Sequence, residues 1–271
     1  MPRKLAPALA VLVLACGGGD DGTLDPTDVV FGDTALVVVV NPTVNDDNDE
    51  NLPAPGAVRA GVRLRSDDGR QATTGADGVA VLAPLTPGAR TITVSGDGID
   101  GSFTVTLTDG DLLELALAAD GARAEVMVSI DYRAARVVEL TPTMTNQEVN
   151  AALAVSDTLV FVAGGRYEGD LDFSGSRVTL FGEGVFGGRV TLAGDVTMSG
   201  SDSRIRGATI TGDLAAPASG LGLSFSSVAG AITVTGSDAT LLANRLCGTA
   251  SVTGSGAVVV GNAGLAPVAC P

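Results

Sequence analysis

The sequence predicts an all-β chain in two parts, an N-terminal antiparallel β-sandwich followed by a β-solenoid. Three observations carry this. The first is composition: of 271 residues, 37 are glycine, 3% are aromatic and none is tryptophan. Valine, threonine and alanine dominate the rest, which favours short strands and tight turns over helices. The second is pattern: from about residue 35 to 130, apolar and polar residues alternate between turn signals. The third is a repeat. Ile232 to Asn244 lies over Ala250 to Asn262 at a shift of eighteen residues, each segment reading strand, glycine-containing turn, strand, small residue, Asn. A repeat this short, with β-branched strands and glycine corners, is one coil of a solenoid. The length allows about two domains of ~100–200 residues.

The chain begins with a basic stretch, Met1 to Lys4, and an apolar run from Leu5 to Ala15. Eleven apolar residues are too few for a spanning helix, which needs about 20, but they fit the core of a secretory signal. Val13-Leu14-Ala15-Cys16 resembles the bacterial lipoprotein box, although Val13 stands where leucine is more usual. That resemblance implies a signal peptide at 1–15, lipidation of Cys16 and export to the cell envelope with a membrane anchor. The other reading is an ordinary signal with a chance cysteine. Residues 16–29 read as a flexible acidic tether. Residue 17 is Gly rather than Asp, which by resemblance to the enterobacterial sorting rule permits transfer to the outer membrane. With Cys16 lipidated, Cys247 and Cys270 remain, and an oxidising compartment favours their pairing. Such a bridge would pin the tail onto an earlier coil and contribute about 3 kcal/mol by loop closure.

Residues 30–132 form the first unit. Its seven expected strands are 35–40, 62–65, 79–82, 91–94, 102–107, 112–117 and 125–130. Between them lie Asp67-Asp-Gly69, Ala76-Asp-Gly78, Thr86-Pro-Gly88, Gly96-Asp-Gly98 and Asp109-Gly110, all turn chemistry. Seven such strands close into a small sandwich. Ala60 to Val94 resembles the carboxypeptidase-regulatory-like family and, nearly as much, bacterial Ig-like domains. Both imply a non-catalytic spacer or adhesive module. Between the first two strands, Asp46, Asp47, Asp49 and Glu50 alternate with asparagines. These oxygens suit calcium, but the central glycine and the distal glutamate spacing of an EF-hand are missing. The loop is either a calcium site or a solvated connection.

Residues 137–271 form the second unit. Thr145 and Glu148 make a capping box, and a helix over 146–155 would place Val149, Ala152 and Leu153 on one face. Asp157 to Gly184 resembles the opening of right-handed parallel β-helices of the pectate-lyase type, in which a helix plugs the first coil. The resemblance implies a short right-handed parallel β-helix with an N-terminal capping helix. Expected strand starts are Leu159, Val178, Val196, Leu221, Thr240 and Val258, with a loop at Ala215 to Gly220 bulging from the longest coil. A second column runs through Leu171, Val190, Ile210, Ile232 and Ala250. Asn244 and Asn262 fall at matching corners, where stacked asparagines bond neighbouring backbones. The helix would close one end of the stack, and the Cys247–Cys270 bridge with the tail would close the other.

The chemistry follows from what residue types are present. The net charge is −15 and Lys4 is the sole lysine, which argues against nucleic acid because phosphates would go unneutralised. Scarce aromatics remove stacking platforms. The acidity suits solubility outside the cell or recruitment of cations or a basic partner. The chain has no histidine, so a Ser/His/Asp triad is impossible. Cys/His metal sites and phosphate loops are likewise missing. A lyase of this fold needs a base and uronate-neutralising cations, yet only Arg166, Arg177, Arg189, Arg204, Arg206 and Arg245 follow residue 140. Hydrolases of this fold cluster aspartates, and Asp170 and Asp172, with Asp195 and Asp213 on later coils, match loosely. No catalytic residue, metal site or cofactor is expected, calcium aside. The leading expectation is a non-catalytic, lipid-anchored envelope protein, a sandwich stalk carrying a β-helix for adhesion, scaffolding or display to an envelope protein or glycan. The alternative is glycan binding or processing on a β-helix face bearing Asp170, Asp172, Arg204 and Arg206. A third option is coil-on-coil polymerisation into fibres.

Overall fold

A computed structural model of the chain describes residues 34–41, 58–132, 136–182 and 190–262. Among the described residues the sandwich has eight strands: β1 (Ala35–Asn41), β2 (Arg63–Ser66), β3 (Gln71–Thr73), β4 (Val79–Leu82), β5 (Gly88–Gly96), β6 (Ile99–Leu107), β7 (Leu112–Asp120) and β8 (Arg123–Asp131). They form two four-stranded sheets, ordered β4-β1-β7-β8 and β3-β2-β5-β6. The strand that pattern reading does not find is β3. Its three residues are too few to show alternation, and it exists because the Asp67–Gly69 turn folds it back onto β2.

One pairing departs from the antiparallel rule: β1 runs parallel to β7 while pairing antiparallel with β4. The burial of β1 explains its composition. All six residues from Ala35 to Val40 are 0% exposed. A strand covered on both faces reads as a continuous apolar run instead of alternating. Leu36, Val38 and Val40 face the core between the two sheets. Ala35, Val37 and Val39 face the opposite way, into a second core shared with the β-helix.

The β-helix opens with β9 (Arg136–Leu140) and α1 (Asn146–Leu153), followed by β10 (Thr158–Val162), β11 (Gly165–Glu168) and β12 (Leu171–Asp172). Later coils supply β13 (Thr179–Phe181), β14 (Val190–Ala193), β15 (Val196–Thr197), β16 (Arg204–Arg206), β17 (Ala208–Ile210) and β18 (Leu214–Ala216). The last are β19 (Gly222–Ser224), β20 (Ser227–Val228), β21 (Ile232–Val234), β22 (Thr240–Leu242), β23 (Arg245–Leu246), β24 (Ala250–Val252) and β25 (Val258–Val260). They stack in parallel into three faces. Face one is β9-β10-β13-β16-β19-β22-β25, face two is β11-β14-β17-β20-β23 and face three is β12-β15-β18-β21-β24. Inward Val, Leu, Ile, Phe and Tyr residues fill one continuous interior from Leu140 to Leu246.

Each coil therefore carries three short strands, and the expected columns need correction. Val196 stands on face three, paired with Leu171 and Leu214, and not in the column of Val178. Val190 and Ile210 belong to face two, not to the column of Leu171. Ala215 and Ala216 lie in β18, paired with Thr233 and Val234, so no loop bulges there. The longer step, 25 residues, falls one coil earlier, between Asp170 and Asp195, and later rungs step by 18. The cause is a coincidence of lengths. Val178 and Val196 are themselves one coil length apart, so periodicity alone aligns strands from different faces.

Helix α1 covers the first coil as expected and ends at Leu153, capped by the Thr145–Glu148 box. Val149 and Leu153 enter the interior with Ala152 packed beside them. The side chains of Asn146 and Asn150 take the place of a preceding coil. Both donate to the Asp170 carbonyl, at 2.9 and 3.0 Å, and the Asn150 carbonyl accepts from the Asp172 N–H at 2.7 Å. The strand edge that would otherwise be open is satisfied by side-chain amides.

Candidate functional site

The most unusual chemistry among the described residues lies where the sandwich meets face one of the β-helix. Strand β7 presents Leu113, Leu115 and Leu117 to the sandwich core, and Leu112, Glu114 and Ala116 to the other side. Alternation thus drives a carboxylate into the seam. The outward row of face one meets it: Phe181 on β13, Arg206 on β16, Ser224 on β19 and Leu242 on β22, neighbours by register. Arg206 Nε donates to a Glu114 carboxylate oxygen, and Tyr132 Oη donates to the other at 2.5 Å. Tyr132 also lies 3.0 Å from Ser224 Oγ. The guanidinium sits over Phe181 and Phe225, 4.9 and 5.1 Å from the ring centroids, so its faces meet aromatic π-clouds while its edge meets the carboxylate. Tyr132 meets Phe181 edge-on at 5.8 Å.

Glu114 and Arg206 are 0% exposed, Ser224 1% and Tyr132 2%. Burial, followed by the charge of Glu114, pushes the Tyr132 phenol well above its usual range. It stays a neutral donor at physiological pH. Ringed by Val37, Val39, Val79, Val81, Leu159 and Val260, the cluster is shut off from solvent. What it can do is fix one orientation of sandwich on β-helix, because any sliding would strand a buried charge.

A second constellation runs up the corners. Asp170, Asp195 and Asp213 stack one above another. Each accepts, through Oδ1, the N–H of the residue in the equivalent place on the next coil, at 3.0, 2.8 and 2.8 Å. At another corner Ser226, Asn244 and Asn262 form a buried ladder. Asn262 Oδ1 accepts from the Asn244 N–H at 2.9 Å, and Asn244 Oδ1 from the Ser226 N–H at 3.0 Å. The two amides donate to the carbonyls of Leu223 and Leu241. The asparagine stack expected from the repeat is present, extended by one serine rung.

The four residues expected to share a glycan face are not brought together. Asp170 and Asp172 stand at the start of face three beside α1, where Asp172 accepts from Ser199 Oγ at 2.7 Å. Arg204 and Arg206 lie on face one, the stem of Arg204 over Gly222 and Arg206 within the seam. Arg206 is thus corrected from a surface residue to a buried one. The cause is the sandwich, which covers the face that a lone β-helix would leave open. Cys247 is half-buried directly after β23 of face two, its N–H donating to the Val228 carbonyl at 2.9 Å. Cys16, Cys270, Asp46, Asp47, Asp49, Glu50 and Arg189 lie outside the described residues, as do the signal peptide and tether. Among the described residues, no group of three or more His, Cys, Asp or Glu side chains is arranged to hold a metal ion.

Sequence reading passed over Glu114, Tyr132 and Ser224. A signal for the first is present: a lone acid in the apolar strand Leu-Leu-Glu-Leu-Ala-Leu requires a buried partner. No family model matches the chain, and no curated protein or solved structure matches it.

Proposed function

We propose that the protein is a non-catalytic, lipid-anchored component of a bacterial cell envelope, a rigid body that displays its surfaces for adhesion or assembly at the outer membrane. The observation that carries this reading is how the polar groups of the β-helix are engaged. The stacked aspartates and asparagines bond the coils to one another, and the one fully buried ion pair among the described residues joins β-helix to sandwich. Such use of polar groups supports stiffness over turnover. Cys16, lipidated once the leader at 1–15 is removed, supplies the anchor in this reading, and the acidic stretch to residue 29 the tether. Cys247 and Cys270 form a bridge that holds the tail to face two.

The anchor is tested by producing the full chain in a diderm bacterium and partitioning membranes with a cloud-point detergent. The reading expects wild type in the detergent phase, with a mass at the mature N-terminus that includes acyl chains on Cys16. Cys16→Ala is expected in the aqueous phase. An unmodified Cys16, or a variant that partitions like wild type, contradicts it.

A further inference from the structure

We infer that the solvent face of the outer sandwich sheet is a docking surface for an acidic polysaccharide, a polymer of uronic-acid type, gripped by Arg63 and Arg65. The two side chains stand two residues apart on β2 and are both exposed, so they project from the same side of the sheet about 7 Å apart. Register sets Arg63 between Thr73 and Ser95, and Arg65 between Gln71 and Thr93. Each guanidinium is therefore flanked on both neighbouring strands by exposed hydroxyl or amide groups. The hydroxyl surface continues across β6 through Ser102 and Thr104, opposite Thr93 and Thr91.

In a chain of net charge −15, the exposed or half-exposed Arg59, Arg90, Arg166 and Arg177 are each paired with a carboxylate. Arg63 and Arg65 take part in no ion pair among the described residues. Exposed arginines without an ion pair among the described residues also include Arg70, Arg123 and Arg136, but Arg63 and Arg65 are two of them on one strand and one sheet face. Asp100, exposed on β6 opposite Ser95, shares the row of Arg63 two strands away, and the turn carboxylates Asp67 and Asp68 are engaged elsewhere. Asp67 accepts from the Thr91 N–H and from Arg90, and Asp68 from the N–H groups of Thr86 and Arg70. Two adjacent guanidiniums on one face, against one carboxylate at its far strand, favour an anionic partner here. A guanidinium fork matches a carboxylate in two parallel hydrogen bonds. The rows of hydroxyls supply donors and acceptors for sugar hydroxyls. The face has no aromatic ring on which a neutral sugar could stack, so recognition depends on charge and weakens with salt. The other side of this sheet is the sandwich core, which keeps the array flat and fixed. The inference does not depend on the lipid anchor and stands or falls separately from it.

The test is binding of the purified folded chain, without its leader, to immobilised polygalacturonate, with neutral dextran and anionic phospholipid vesicles as comparisons. Expected are retention on polygalacturonate alone, loss of retention in high salt, and binding weakened at least about tenfold in Arg63→Gln/Arg65→Gln. The unfolding midpoint of that variant should be unchanged, and Arg166→Gln should bind like wild type. No retention of wild type overturns the proposal. So does equal retention of the double variant, or a preference for dextran or for the vesicles.

Discussion

Glu114 and Arg206 sit 92 positions apart and meet with no exposed atom on either side chain. Desolvating both charges is costly, and their attraction repays the cost only with the extra bond from Tyr132 and the aromatic faces around the guanidinium. Removing one partner is the damaging change. Glu114→Gln leaves the cation unbalanced and is expected to lower stability by about 3–5 kcal/mol in urea unfolding. Glu114→Gln/Arg206→Met, which removes both charges, should recover at least half of that loss. A double variant as unstable as the sum of its singles would show that the pair does not act as a unit. Glu114 was legible as an anomaly within an apolar strand. Its partner was not, because Arg206 looks like any outward-facing arginine until the layer covering it is known.

The three-strand coil is held by its corners as well as by strands of two to five residues. The asparagine ladder was legible because Asn244 and Asn262 recur at the repeat spacing. The aspartate ladder was not, because its first step is 25 residues and not 18. The column assignments failed for the same reason, since a period says how far apart equivalent residues are but not which face they occupy. Close stacking at the glycine corners leaves no room for a Cβ. A methyl on Gly236 would lie 1.8 Å from the Ala218 carbonyl oxygen, whereas one on Gly98 meets nothing within 4 Å. Gly236→Ala is expected to cost more than about 3 kcal/mol, since a backbone atom of the adjacent coil must move. Gly98→Ala, which has only a φ of +78° to contend with, should cost about 1 kcal/mol. Equal effects in thermal unfolding would contradict this account of the corners.

Three sheets lie in layers, the outer sandwich sheet, the inner sandwich sheet and face one of the β-helix, with one apolar core at each of the two contacts between adjacent layers. The sandwich and the β-helix share one buried seam. The run Ala35 to Val40 was the trace of this in the sequence, being too apolar for a strand with one wet face. Titration sets the pH limits of the body. The Thr91 N–H holds Asp67 below its usual range, the Thr145 N–H holds Glu148, and the Arg177 guanidinium holds Asp157. Depressed carboxylates contribute stability above their unfolded values of 3.8 to 4.5 and lose it as pH falls through the folded values. Burial raises Tyr132, and it lifts Tyr167 to about 12. Stability from the tyrosines is therefore complete below the unfolded value of 10.0 and lost as pH rises beyond it. Unfolding midpoints should be level from about pH 5 to 9 and fall on both sides, the alkaline fall shrinking in Tyr132→Phe. A midpoint that changes steadily across neutrality would contradict this.

The shared seam makes unfolding of the two parts one event. Hydrogen exchange followed by mass spectrometry across a urea series reads β1 and β7 of the sandwich and β16 and β19 of the β-helix in the same sample. The account predicts that all four lose protection at one common midpoint, and that Glu114→Gln lowers that midpoint for both parts together. Two separated midpoints, with the β-helix strands still protected after the sandwich strands have opened, would contradict it.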